Sequence, residues 1–306
     1  MTSSTAHMSR VAHTGSITRL KTLFTPPVAV AALVLAIVLF SALFADLLAP
    51  YDANQTTLGQ VLAPISPEHL LGTDQTGRDI LSRLLIGSRA TLLSAVGVVV
   101  ISLLIGIPYG LVAGYFGGWV DKVLMRVSDV ILSFPSLLLA FLLVAAFGRG
   151  LTNAVVAVGI VYVPMLARLV RSIVLVEKNK TYVEAAQSIG YSNAHILFRE
   201  ILPNCVPSLI VQSTLDLGYA ILDLAAMSFL GLGVQPPTAD WGAMLEEGRN
   251  LIQLAPQCAL APGFMIVVTV VSINVLGDGI NRWLDPRERR PMAIRRFRAM
   301  VRGEHV

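Results

Sequence analysis

The chain is short of charge. Asp, Glu, Lys and Arg make up only 14% of its 306 residues, whereas soluble domains carry about 25%. A chain this poor in charge does not bury a water-excluding core. It satisfies its backbone polar groups inside helices and lets lipid cover its apolar side chains. Cysteine is also scarce: Cys205 and Cys258 cannot build a disulfide framework and lack metal-ligand spacing. No G-x-x-x-x-G-K-[ST] occurs, so a phosphate cradle of that kind is excluded, and H-E-x-x-H and G-x-S-x-G are missing as well. The five histidines, His7, His13, His69, His195 and His305, are scattered over loops and tails. No catalytic centre, metal or bound cofactor is expected on this chain. Energy for any work must come from a partner or an ion gradient.

What the chain has is apolar length. Hydrophobic residues reach 55% and the mean hydropathy is +0.70. A membrane-spanning helix needs about 20 such residues. Six stretches supply them: Val28–Ala45, Ala90–Phe116, Val130–Gly148, Gly150–Ala167, 206–232 and Asn250–Gly277. The first follows a basic, Ser/Thr-rich leader, but its apolar run exceeds the roughly 7–15 residues of a signal-peptide core, so it reads as a retained span. The expected fold is an all-α polytopic membrane protein with six transmembrane helices. Its parts are a leader (1–26), a membrane domain (27–283) and a basic tail (284–306).

Basic residues set the orientation. With the N-terminus in the cytoplasm, Arg78, Arg83, Arg89, Arg149 and Arg249 fall outside, and the remainder of the 23 Lys and Arg fall inside. The excess of inside charge predicts both termini in the cytoplasm. Cys205 and Cys258 are then expected on opposite sides of the membrane. The tail reads as a topology anchor beside lipid; a nucleic-acid patch is the weaker alternative.

This orientation leaves two segments outside. The first (50–89) opens with Pro50, Pro64 and Pro67 and then carries His69, Asp74, Arg78, Asp79 and Arg83. Asp74 with Arg78, and Asp79 with Arg83, are i,i+4 pairs of a solvated helix start, each worth only tenths of a kcal/mol. In the second, Trp241 suits an interfacial anchor.

The internal loop (177–204) is the most informative. Thr181 with Glu184 has capping-box spacing, and Gly190 is placed for the left-handed position after a short helix. Ser192 or Asn193 can cap a second helix, which Pro203 disfavours continuing. Tyr182, Val183, Ala186 and Ile189 form an apolar stripe, and small Ala185, Ala186 and Gly190 allow another surface to approach. The elbow so formed is either a docking knob for a soluble partner or rests on lipid or on the protein's own helices.

Acids and amides fall in the last two spans. Gln212, Asp216, Tyr219 and Asp223 share a face of the fifth, and Asn274, Asp278 and Asn281 form a stripe on the sixth. A charge near the bilayer centre costs about 2.5–3.5 kcal/mol, so these residues face a cavity or a neighbouring helix. They fit a translocation path or proton relay, or hydrogen bonding between helices or subunits.

The internal loop resembles the EAA loop of ABC-importer permeases, whose pattern is E-A-A, three residues, Gly, and later I-x-L-P. Glu184-Ala185-Ala186, Gly190, Leu202 and Pro203 match in register, while Glu200 stands at the Ile position and Ile201 comes one place late. Further motifs are similar to the dipeptide/oligopeptide/nickel permease group, C-type subunit. They include His69-Leu-Leu-Gly-Thr-Asp74, Gly77-Arg78-Asp79, Gly114-Tyr-Phe-Gly-Gly-Trp119, Ser228-Phe-Leu-Gly-Leu-Gly233, Trp241-Gly242 and Asp285-Pro286-Arg287. The resemblance covers residues 20–290. It implies a type I importer of peptides, or of nickel or another small solute, in the cytoplasmic (inner) membrane. Glu184, Ala185, Ala186, Gly190, Leu202 and Pro203 would couple to ATPase subunits. The implied partners are a second homologous permease, two ATP-binding subunits that hold ATP and Mg, an extracytoplasmic binding protein and membrane lipid, with no nucleic acid. Among rivals, a secondary transporter would show an inverted repeat, which does not emerge despite Pro108, Pro135, Pro164 and Pro262 within the spans.

Overall fold

The computed structural model describes residues 25–284. Most of the leader and nearly all of the basic tail, with Asp285-Pro286-Arg287, lie outside the described residues. Among the described residues every regular element is a helix, in keeping with a chain whose backbone must satisfy itself away from water.

In chain order the α-helices are α1 (Pro26–Leu43), α2 (Ala45–Leu48), α3 (Ile80–Phe116), α4 (Gly118–Leu132), α5 (Ser136–Phe147) and α6 (Leu151–Glu177). Next come α7 (Thr181–Ser188), α8 (Asn193–His195), α9 (Leu202–Phe229), α10 (Trp241–Gly248) and α11 (Gln257–Leu284). A π turn over Ile196–Ile201 joins α8 to α9 without a break, so that one helical run extends over Asn193–Phe229. Pro203 does not stop this helix, contrary to expectation. The widened turn ends just ahead of it, with the Leu202 N–H reaching back to the Leu197 carbonyl, and the missing proline N–H falls where the bonding register has already changed. Pro108, Pro164, Pro207 and Pro262 likewise lie inside continuous helices.

Among the described residues, five helical runs are long and apolar enough to cross a membrane: α1, α3, α6, Asn193–Phe229 and α11. The sixth expected span is a bent pair. Val130–Gly148 is not one rod, because α4 and α5 meet at 88° across Ser133, Phe134 and Pro135. Pro135 is extended (φ −56°, ψ 130°) and disfavours helical geometry at Phe134 before it.

The bundle is organised around α3 and α6, its most extensively packed pair. Gly106, Gly110 and Gly114 recur every fourth residue along α3 and let α6 approach. A β-carbon at Gly110 would lie 2.5 Å from the Ala167 carbonyl oxygen and 2.6 Å from the Val170 β-carbon. We expect Gly110→Val to force the helices apart and to cost about 1–3 kcal/mol, the usual range for overpacking. Thermal unfolding of the detergent-solubilised chain, read against a lipid-facing control such as Leu104→Val, would show the difference.

The bundle has two distinct ends. At the elbow end, α7 folds back on the termini of α3, α6 and α9. At the opposite end, the segment before α3 and the short helix α10 form a cap. There α3 begins at Ile80, ten residues earlier than the apolar stretch indicates, because its first turns are covered by this cap rather than by lipid.

Candidate functional site

The elbow is built from a short helix and a glycine turn. Val183 and Ala186 of α7 are buried with Leu166, Val170 and Val174 of α6 and with Ile196, Ile201 and Cys205. Glu184, Ala185 and Ile189 are exposed, Ile189 at 72%. The stripe is thus divided. Ala186 faces the chain's own helices, and the face open to another molecule is formed by Glu184, Ala185, Ile189 and Gly190.

Two expectations of local structure come out differently. The helix is capped at Lys180, not Thr181, and no side-chain cap bond forms, so the Thr181–Glu184 capping box is absent. Gly190, by contrast, takes a positive φ of 90°. Its N–H donates to the Gln187 carbonyl at 3.0 Å, and the Tyr191 N–H donates to the Ala186 carbonyl at 3.1 Å. This is the Schellman pattern, which satisfies the last carbonyls of α7. Ser192 then caps the next turn by accepting from the His195 N–H. Of the loosely matching I-x-L-P segment, Ile201 is buried in the elbow cluster and Leu202 packs against it, while Pro203 is exposed.

A chain of hydrogen bonds ties the elbow to two long helices. The Tyr182 hydroxyl donates to Glu177 Oε2 at 2.7 Å and accepts from Asn204 Nδ2 at 3.2 Å. Lys180 Nζ lies 2.6 Å from Glu177 Oε1, and Asn204 Nδ2 also donates to the Glu200 carbonyl. Glu177 is the last residue of α6 and is buried; Asn204 lies in the first turn of α9. Burial, and then the hydrogen bond to Glu177, push the Tyr182 phenol above its ordinary range, so it remains a donor. Sequence alone carries no sign of this link, because residues 177, 182 and 204 obey no helical or strand spacing. Nearby, Arg171 grips Asp121 of α4 with two bonds at 2.5 and 2.6 Å.

The polar residues of the spans pair within and between helices. Gln212 Nε2 donates to Asp216 Oδ1 at 2.8 Å along α9, and the Tyr162 hydroxyl of α6 donates to Asp223 Oδ2 at 2.8 Å. Asn274 of α11 lies over Gly218 of α9, whose missing β-carbon leaves it room; its Oδ1 is buried with no hydrogen-bond partner among the described residues. Asp216 is buried, whereas Tyr219 on the same helix is exposed. The expected common face is therefore split between an inward acid and an outward phenol.

The cap holds the largest difference from the sequence reading. The charges read as a solvated helix start are not solvated. Arg83 is 1% exposed, and His69, Asp74, Arg78 and Asp79 are buried too. Arg78 Nε meets Asp74 Oδ2 at 2.6 Å, and its Nη2 meets Glu247 Oε2 of α10 at 2.8 Å. Arg83 Nη2 reaches the same Glu247 oxygen at 3.1 Å. Asp79 does not pair with Arg83. It caps α3, its Oδ2 accepting from the Ser82 N–H and hydroxyl, while its Oδ1 lies 2.9 Å from His69 Nδ1. Burial raises the Asp74 carboxyl, but the N–H of Arg78, the hydroxyl and N–H of Thr76 and the Arg78 charge outweigh it and hold the group below the ordinary carboxylate value.

Trp241 is likewise no interfacial anchor: it is fully buried, with Nε1 donating to the Leu84 carbonyl at 3.0 Å. Asp240 caps α10 by accepting from the N–H groups of Gly242 and Ala243, and it accepts from Thr91 of α3 at 2.6 Å. The two cysteines lie at opposite ends of the bundle but are both buried, so neither offers a labelling site.

A bundle of apolar helices with a projecting elbow at one end and a charge-locked cap at the other is the frame of a membrane permease subunit, and the comparisons give the family. Residues 106–290 match the family described as binding-protein-dependent transport system inner membrane component. The chain belongs to this family. It is 45% identical over 262 residues to the glutathione transport system permease protein GsiD of Pectobacterium atrosepticum, covering 85% of this chain and 87% of that one. It is also 45% identical to the di/tripeptide transport system permease protein DppC of Pseudomonas aeruginosa, covering 82% and 85%. Its fold is similar to an inward-facing structure of the MetNI methionine ABC transporter, with a TM-score of 0.55 and 20% identity over 67% of this chain and 98% of that one.

Proposed function

We propose that this chain is the peptide-conducting permease subunit of an ATP-driven importer, with the elbow as its contact to ATPase subunits. The observation that carries the reading is the divided elbow. One face of α7 is bound into the bundle while Glu184, Ala185, Ile189 and Gly190 stay open, as a transmitting element requires. Ala186, Leu202 and Pro203 belong to its base. Relatives at 45% identity, named for di/tripeptide and glutathione transport, support peptide cargo.

The chain itself is non-catalytic in this reading. ATP and Mg are held by two partner ATPases, a second homologous permease completes the path, and an extracytoplasmic binding protein delivers the peptide. The elbow end and both termini face the cytoplasm, as the distribution of Lys and Arg requires, and the cap faces outward. Asp223 joins α6 to α9, and Gln212, Asp216 and Asn274 lie with it beside the path. Uptake of labelled dialanine should disappear in a deletion strain and return with the gene. It should stop on ATP depletion while the proton gradient is held. Uptake that survives ATP depletion refutes the reading, and restored nickel uptake without dialanine uptake refutes the cargo.

A further inference from the structure

We infer that Tyr182 is a positioning residue that links the elbow to the spans through its hydroxyl, passing the elbow's movement to α6 by way of Glu177 and to α9 by way of Asn204. The inference rests on the importer reading. A rigid connection is needed because the open face of α7 is small, and a helix of eight residues held by the apolar contacts of Val183, Ala186 and the Tyr182 ring could roll on its base without moving the spans. The Tyr182 hydroxyl prevents rolling. It uses its only proton toward the Glu177 carboxylate and a lone pair toward the Asn204 amide, so its bonds run to two different long helices.

The acceptor side is charge-assisted, which makes it directional as well as strong. Glu177 is held from its other oxygen by Lys180, the residue that caps α7, so the carboxylate cannot turn away. From Glu177 the path continues along α6 to Arg171, whose two bonds to Asp121 bring in α4 and the bent α4–α5 pair. From Asn204 it enters α9 directly after the π turn. The Tyr182 ring packs on the elbow cluster independently of the hydroxyl, so Tyr182→Phe removes the link and keeps the packing.

The test uses the chain with its partner permease, ATPase subunits and binding protein in proteoliposomes. The readout is the ratio of ATP hydrolysis with binding protein to hydrolysis without it, measured with and without dialanine. This signal must cross the spans from cap to elbow. Couplings between sites typically correspond to roughly 5–150-fold effects, and we expect Tyr182→Phe to assemble normally, to keep hydrolysing ATP and to lose about fivefold in this ratio. Asn204→Ala, which cuts only the α9 arm, should lose less, and the double variant should lose no more than Tyr182→Phe alone, because the hydroxyl carries both arms. An unchanged ratio in Tyr182→Phe, or a fall in assembly with the ratio preserved, would overturn the role of the hydroxyl. Wild-type hydrolysis that ignores the binding protein would overturn the importer reading itself.

Discussion

Glu247→Ala is expected to destabilise the cap more than any other single substitution there. Glu247 reaches both Arg78 and Arg83 closely, at 2.8 and 3.1 Å. Without it two buried guanidinium groups would share Asp74, which lies 2.6 Å from Arg78 Nε but 3.7 Å from Arg83 Nε. Removing one partner of a buried ion pair typically costs about 3–5 kcal/mol, because the stranded charge keeps its desolvation penalty. Arg83, at 1% exposure, cannot swing into solvent to recover it. Loss of α10 from the outer turns of α3 should result, with a lower melting temperature in detergent and greater protease sensitivity after residue 230. Glu247→Gln, which keeps an acceptor oxygen, should fall between wild type and Ala. A melting curve for Glu247→Ala that overlays wild type would refute the buried-network account.

Gly190→Leu is expected to abolish transport while the chain still inserts and assembles its bundle. Gly190 sits at φ +90°, a conformation L side chains rarely adopt, and forcing a side chain there costs on the order of 1–3 kcal/mol. Among the described residues, nothing beyond the adjacent residues lies within 4 Å of a β-carbon built at this position, so the first atom of a side chain meets open space. The damage therefore has two separable parts. Backbone strain is common to Gly190→Ala and Gly190→Leu, whereas bulk on the open face of the elbow is peculiar to Leu. Uptake of dialanine in cells should fall partly for Ala and completely for Leu, with equal amounts of both variants in the membrane fraction. Normal ATP-coupled uptake by the Leu variant would remove the elbow from any role in docking.

Much of this protein is legible in its sequence. Charge-poor apolar runs can satisfy their backbone only as helices, so the all-α bundle and the location of the spans come from hydropathy. The elbow is equally local: Gly190 sets a left-handed turn, Ser192 caps the turn after it, and both form as their spacing predicts. Where competing local signals meet, neighbouring segments decide between them. Thr181 and Glu184 have capping-box spacing, yet Lys180 takes the cap position, with its ammonium paired to Glu177 of α6. Pro203 carries a stop signal that the preceding π turn overrides, while Pro135 does break its span.

The cap shows why charge spacing misleads. Asp79 and Arg83 are four residues apart and read as a solvated pair, but their partners come from elsewhere: Ser82 and His69 for one, Glu247 for the other. Arg83 and Glu247 are separated by 164 positions, and no periodicity in either segment encodes their meeting.

By itself, then, the sequence determined the helices, the bent elbow and the kind of molecule, because each depends on apolar length, turn chemistry and motif within a few dozen residues. Tertiary structure alone decided the rest. It made a surface-like run of charges into a buried lock, turned Ala186 inward and left Ala185 out, and brought Tyr182 between Glu177 and Asn204. Burial and pairing depend on which distant segments meet, and the energy of a charge or a hydroxyl is set by that meeting far more than by its neighbours along the chain.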